Sequence, residues 1–151
     1  PAMIPLAAEA GCPVVIMHHR LGHDYRDLMG EVLGELRKRM DAAVSGGVDE
    51  RQIIIDPGIG LFGKDAEQNL AILQNLEQFR SLGRPLLVGA SRKRFIGAVL
   101  DLPVDERLEG SLAAAVVSVC RGADIVRVHD VRATRRALDV ADAILGVGEN
   151  G

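Results

Sequence analysis

Four short apolar runs punctuate the chain, at residues 13–17, 52–55, 85–88 and 124–128. They are nearly continuous rather than alternating, which predicts strands of a parallel sheet covered on both faces. Each run leads through a loop into a segment with helical periodicity. Residues 25–44 set Leu28, Val32, Leu36 and Met40 four apart, along one helical face. Residues 65–82 repeat the device with Leu70, Leu73, Leu76 and Phe79, and stop at Gly83 as a C-cap. Residues 110–121 are rich in Ala and Val and are closed by Gly122. Residues 131–145 are amphipathic, and a shorter opening helix over 3–10 ends at Gly11.

The strand starts at 13, 52, 85 and 124 lie 39, 33 and 39 residues apart. Such regular alternation predicts an α/β fold with a parallel sheet and right-handed crossovers. Two architectures satisfy it: an open doubly wound sheet, or part of a (β/α)8 barrel. A complete barrel has eight units and typically ~250 residues, so four units make half of one. Residues 1–151 accordingly read as one partial barrel domain. The chain opens on Pro1 rather than Met and runs straight into an apolar stretch, which places the natural start upstream.

Composition narrows the function classes. The chain is 48% hydrophobic and 26% charged, with a net charge of -3, and gives no general reason to expect nucleic-acid binding. No run of 18 apolar residues predicts a transmembrane helix, and no signal peptide opens the chain. Cys12 and Cys120 lack metal-ligand spacing and read as two buried small hydrophobes, pointing to a reduced cytoplasmic setting.

In either architecture the chemistry belongs at the C-terminal ends of the strands. There the chain reads Met17-His18-His19-Arg20, Asp56-Pro57-Gly58-Ile59-Gly60-Leu61-Phe62-Gly63-Lys64, Gly89-Ala90-Ser91-Arg92-Lys93-Arg94 and Arg127-Val128-His129-Asp130. Every strand runs out into ionisable groups that would converge on one end of the sheet. Asp56 follows three isoleucines and offers only acceptor lone pairs when ionised. It suits a ligand edge with two adjacent N–H donors, such as an aminopyrimidinone, or else it caps and fixes its own loop. Ser91-Arg92-Lys93-Arg94 puts three cations at a probable helix start, where they oppose the helix dipole unless an anionic ligand or a carboxylate answers them. Arg127 and His129 alternate, should point to one side, and would make a diphosphate clamp. His18, His19 and His23 resemble a metal cluster only superficially, because adjacent side chains leave a strand on opposite faces; no metal ligand is assigned.

Together these segments resemble the dihydropteroate synthases, a family of pterin-binding enzymes. The matching pieces are Val15-Ile16-Met17-His18, Asp56-Pro57-Gly58-Ile59-Gly60, Leu87-Val88-Gly89-Ala90-Ser91-Arg92-Lys93 and Arg127-Val128-His129-Asp130. Glu67-Gln68-Asn69-Leu70 and Glu106-Arg107-Leu108-Glu109-Gly110-Ser111-Leu112-Ala113 also match. The resemblance implies a TIM-type (β/α)8 barrel represented here by its C-terminal half. It also implies condensation of 6-hydroxymethyl-7,8-dihydropterin pyrophosphate with p-aminobenzoate, giving 7,8-dihydropteroate and pyrophosphate with Mg2+ present, in a cytoplasmic folate-pathway enzyme of the kind sulfonamides target. By the same resemblance Asp56 and Lys93 would hold the pterin ring, Met17 would line its pocket, and Arg127 and His129 would hold the diphosphate. Phe62 would shape the p-aminobenzoate channel, the backbone around Arg94 would lie near that substrate's carboxylate, and Gly89 and Ser91 would lie against the substrates.

The chain departs from the family in three ways. The first four strand–helix units have no counterpart, and with them go metal, diphosphate and pterin contacts, so the Mg2+ ligand lies outside this chain and activity alone should be poor. The loop after Gly60 is one residue longer than usual, leaving Leu61 or Phe62 for the aromatic role. The loop after Met17-His18 is short. Two further readings stay open: a pterin-dependent methyltransferase domain, and a non-catalytic pterin-binding half-barrel. Two unpaired edge strands predict a homodimer or other self-association.

Overall fold

The computed structural model describes residues 3–22, 24–60 and 63–146. Helix α1 (Met3–Ala10) leads into β1 (Val14–Met17), α2 (Leu28–Ser45) and β2 (Ile53–Asp56). Then come α3 (Ala66–Gln74), a 3-10 segment (Leu76–Leu82), β3 (Leu87–Val88) and α4 (Arg94–Leu100), followed by α5 (Leu108–Cys120), β4 (Ile125–Val126) and α6 (Val131–Leu145).

The strands lie side by side in chain order, all parallel. β1 pairs β2 from Val14↔Ile53 to Met17↔Asp56, Ile55 bridges to Leu86, and β3 pairs β4 at Leu87↔Ile125 and Val88↔Val126. A doubly wound sheet reverses its strand order partway across; sequential order with no reversal is the barrel arrangement. That settles the choice the spacing left open. Ile53, Ile55, Leu86 and Val88 are buried against the helices, in one core with Val32, Leu36, Ile72, Leu76 and Phe79. On the opposite, concave face the period of two places Val15, Ile54, Leu87 and Ile125. That face is not fully covered: Val15 is 47% exposed and Ile125 38%. The expectation of strands buried on both faces therefore fails on the concave side, which the described elements leave partly open.

Boundaries moved for local reasons. Pro13 and Pro85 lack the N–H a ladder needs, and Gln52 belongs to a 3-10 turn capped by Asp49. Asp124 is outside β4, where its carboxylate accepts the Leu86 N–H at 2.8 Å. α2 begins at Leu28 because Asp27 caps it, accepting from the Gly30 N–H, while Glu31 reaches back to the Asp27 N–H. The helix expected over 65–82 breaks at Asn75, whose side chain donates to the Ala71 carbonyl and competes with the backbone. Both cysteines are free and exposed, which corrects the reading of them as buried. Cys12 lies between the α1 cap and β1, and Cys120 ends α5, positions that the core does not reach.

Candidate functional site at the strand ends

β2 ends in a dry wall and then a carboxylate. Asp56 pairs with Met17 across the ladder, so both sit at the same height at the open end of the arc. The chain must then turn sharply, and the Gly58 N–H donates to Asp56 Oδ1 at 2.7 Å, fixing the carboxylate. The other side of that turn leans on β1, where the His18 N–H donates to the Asp56 carbonyl at 2.8 Å. Burial pushes the Asp56 carboxyl up from its ordinary value; the Gly58 N–H and the charges of Lys93, Lys64 and Arg127 pull against that. Asp56 thus does more than cap its own loop: several cations face it.

Lys93 comes from the β3–α4 loop. Its aliphatic stem packs on Gly60, where an added Cβ would sit 2.7 Å from Lys93 Cδ; Gly60 itself has φ +65. Only glycine tolerates both constraints. Burial lowers the Lys93 ammonium, with Asp56 opposing and Arg127 adding to the shift. Arg127 continues the β3–β4 ladder by donating its N–H to the Val88 carbonyl at 2.9 Å, and a Cβ on Gly89 would come into ordinary contact with Arg127, at 3.9 Å. Two residues on, His129 is held by buried Ser91, with Nδ1 and Oγ 3.0 Å apart. Asp56, Lys93 and Arg127 are thus brought together, and His129 stands beside them on the same strand end.

The loop carrying Lys93 is locked from behind. Arg92 adopts φ 57, a left-handed conformation uncommon for an arginine. Its N–H donates to Ser111 Oγ at 2.9 Å, and its guanidinium forks onto the Asp130 carboxylate at 3.0 and 2.7 Å. Arg107 donates to the Arg92 carbonyl at 3.2 Å and the Leu102 carbonyl at 2.9 Å. The carboxylate that answers the basic loop is thus Asp130, and Arg92 is committed to it. Arg94 is exposed on the first turn of α4. Phe62 and Leu61 lie outside the described residues, as does His23.

The sequence reading missed the supporting residues. Ser111 and Arg107 stand in a segment quoted only for its resemblance, and Lys64 closes the glycine-rich loop, where a lysine after Gly63 was the available signal. His18 is 1% exposed while His19 is exposed, the opposite facing expected of neighbours. Among the described residues no three His, Cys, Asp or Glu side chains converge on a common point. The described residues therefore offer no carboxylate cluster of the kind a magnesium ion takes. No helix among the described residues is long and apolar enough to cross a membrane.

Comparison with known proteins places this geometry. A family model described as pterin binding enzyme matches residues 1–129. The dihydropteroate synthase of Bacillus subtilis is 48% identical over 148 residues, covering 98% of this chain and 52% of that protein. Among solved structures, Xanthomonas albilineans dihydropteroate synthase in complex with 7,8-dihydropteroate matches at TM-score 0.92 and 41% identity, over 96% of this chain and 55% of that one. The Yersinia pestis dihydropteroate synthase with a sulfonamide drug complex matches at TM-score 0.93 and 34% identity, over 97% and 55%. The chain spans about half the length of the curated relatives it matches, and its arc of four strands is half of their TIM-type barrel. With a family model matched over most of its length, this chain belongs to the pterin binding enzymes.

Proposed function

We propose that the protein to which this half-barrel belongs is a dihydropteroate synthase. It condenses 6-hydroxymethyl-7,8-dihydropterin pyrophosphate with p-aminobenzoate, in the cytoplasm, to give 7,8-dihydropteroate and pyrophosphate. The observation that carries the reading is a half-buried carboxylate, Asp56, at a strand end facing Lys93 and Arg127. A 2-aminopyrimidinone edge offers the paired N–H donors Asp56 can accept, and Lys93 donates to the other side of the ring. Met17 lines the ring pocket. Arg127 and His129 take the diphosphate, with Gly89 against Arg127 and Ser91 orienting the His129 ring. The backbone at Arg94 approaches the carboxylate of p-aminobenzoate, and Phe62 shapes its channel.

Chemistry then follows from charge. The C–O bond between the pterin methylene and the diphosphate breaks, and the leaving group departs with the electron pair. The Arg127 guanidinium and the donors of the His129 ring stabilise that developing charge. The aniline nitrogen attacks the pterin cation, forms the C–N bond and loses a proton. Orientation and electrostatics supply the catalysis; no covalent nucleophile is required. A clamp for diphosphate favours this over a methyltransferase, which binds the ring alone. Residues 1–151 act as one partial barrel, carrying half of the site.

The test is a calorimetric titration of this chain with the pterin pyrophosphate and Mg2+, repeated with p-aminobenzoate. Saturable binding is expected from the half-site; no binding by a demonstrably folded chain would end that reading. The chain is also expected to self-associate. Its two edge strands carry exposed Val15 and Ile125, and a cleft of about 390 Å3 between α3, α4 and α5 is lined by Leu70, Phe95, Val99 and Val117. Light scattering should report a dimer or larger; a compact monomer at micromolar concentration would contradict it.

A further inference from the structure

One half-buried lysine ties the Asp56 turn to the end of β1. Lys64 Nζ lies 3.0 Å from His18 Nδ1 and donates to the Gly58 carbonyl at 3.3 Å. The turn lies flat on the β1 end: a Cβ on Gly58 (φ +70) would run into the His18 carbonyl oxygen, and one on Gly63 into those of Arg20 and Gly22. Buried Asn69 grips the loop from its far side, accepting from the Gly60 N–H at 2.7 Å and donating to the Asp65 carbonyl at 2.6 Å.

The groups facing this lysine are His18, Asp56, Glu35 and Arg39. An ammonium only donates, so His18 Nδ1 must accept, and the ring proton then resides on Nε2. That nitrogen is 3.3 Å from the Glu35 carboxylate but not aligned for a hydrogen bond. Burial lowers the Lys64 ammonium to about 8, with Asp56 and Glu35 opposing. A half-buried lysine with a neutral acceptor on one side and a turn carbonyl on the other acts as a strut.

We propose that Lys64 is a positioning residue for Asp56: its ammonium, held between the Gly58 carbonyl and His18 Nδ1, fixes the turn whose Gly58 N–H orients the Asp56 carboxylate. The inference deepens the ring-binding reading of Asp56 given above and rests on it for its purpose.

The experiment is a carbon-13 titration of the Asp56 carboxyl, identified by its disappearance in Asp56→Asn, with amide exchange followed at Gly58. Native chain, Lys64→Met and Lys64→Arg are compared. Lys64→Met should move the Asp56 midpoint upward by about one pH unit, through loss of one nearby cation, and speed Gly58 exchange about tenfold. Lys64→Arg, which keeps the charge and the donors, should restore most of both. If Lys64→Met does not fold, Lys64→Gln takes its place as the uncharged variant. An unchanged Asp56 midpoint and Gly58 exchange rate in the folded uncharged variant would overturn the proposal. So would an Arg variant as perturbed as the Met one. Neither readout requires a ligand, so failure here is distinct from failure of Asp56 to bind a pterin ring.

Discussion

Asp56→Asn is expected to weaken pterin binding by about 1–3 kcal/mol, the cost of one mispaired buried polar group; that is roughly a 5- to 150-fold loss of affinity. The carboxylate can accept from two ring N–H groups at once, whereas an amide turns a donor toward one of them. Lys93, Lys64 and Arg127 also lose the negative charge they face. Stability should move the other way. Burial raises the Asp56 carboxyl, so its ionised form is disfavoured by folding, and a neutral amide removes that penalty. A calorimetric titration paired with a melting curve checks both: lower affinity with an equal or higher Tm is the expected pair. Unchanged affinity would remove Asp56 from the site.

Acid is expected to destabilise the chain through His18. Its ring is buried and lowered to about 3, first by burial and then by the charges of Lys64, Arg39, Arg20 and His19. The Glu35 carboxylate at 3.3 Å would favour a charged ring, but it is partly exposed and misaligned, and burial with the cations prevails. The unfolded chain binds a proton at His18 below its ordinary value of 6.5, while the folded chain does not. The unfolded state therefore holds more protons between pH 6.5 and about 3, and stability falls as pH drops through that window. The expected loss between pH 6.5 and 5 is about 2 kcal/mol. Denaturant unfolding at the two pH values measures it in the native chain and in His18→Gln. The loss should shrink in the variant; an equal loss in both would place the acid sensitivity elsewhere.

What could be read from the chain alone follows the reach of each interaction. The four strands and the helices over 3–10 and 131–145 were visible because burial against one face imposes a period, and a period survives in sequence. That Asp56, Lys93, Arg127 and His129 would gather at one end of the sheet was visible because each follows a strand, and parallel strands end together. The break at Asn75 was hidden by an apolar period that continues across it, since Leu76 and Phe79 stay buried whether the backbone is α or 3-10. The cysteines were misplaced because composition says nothing of which way a helix end points. Lys64, Ser111 and Arg107 act on residues 6 to 46 positions away, through single contacts that no periodicity encodes. Arg92 illustrates the remaining ambiguity: its charge was legible, but only the Asp130 fork shows which anion it serves.

The strictly sequential strand order has a kinetic consequence. Ladder partners are close along the chain: Val14 meets Ile53, Ile55 meets Leu86 and Leu87 meets Ile125. For these three contacts no strand waits for a distant segment, and the loops that must close are of similar size. A ribosome can therefore release each unit to a partner already made, and assembly proceeds as a ratchet from the N-terminal side. The growing arc always ends in one freshly exposed parallel edge, and how fast the next unit arrives to cover it governs how long that edge is open to a stray chain.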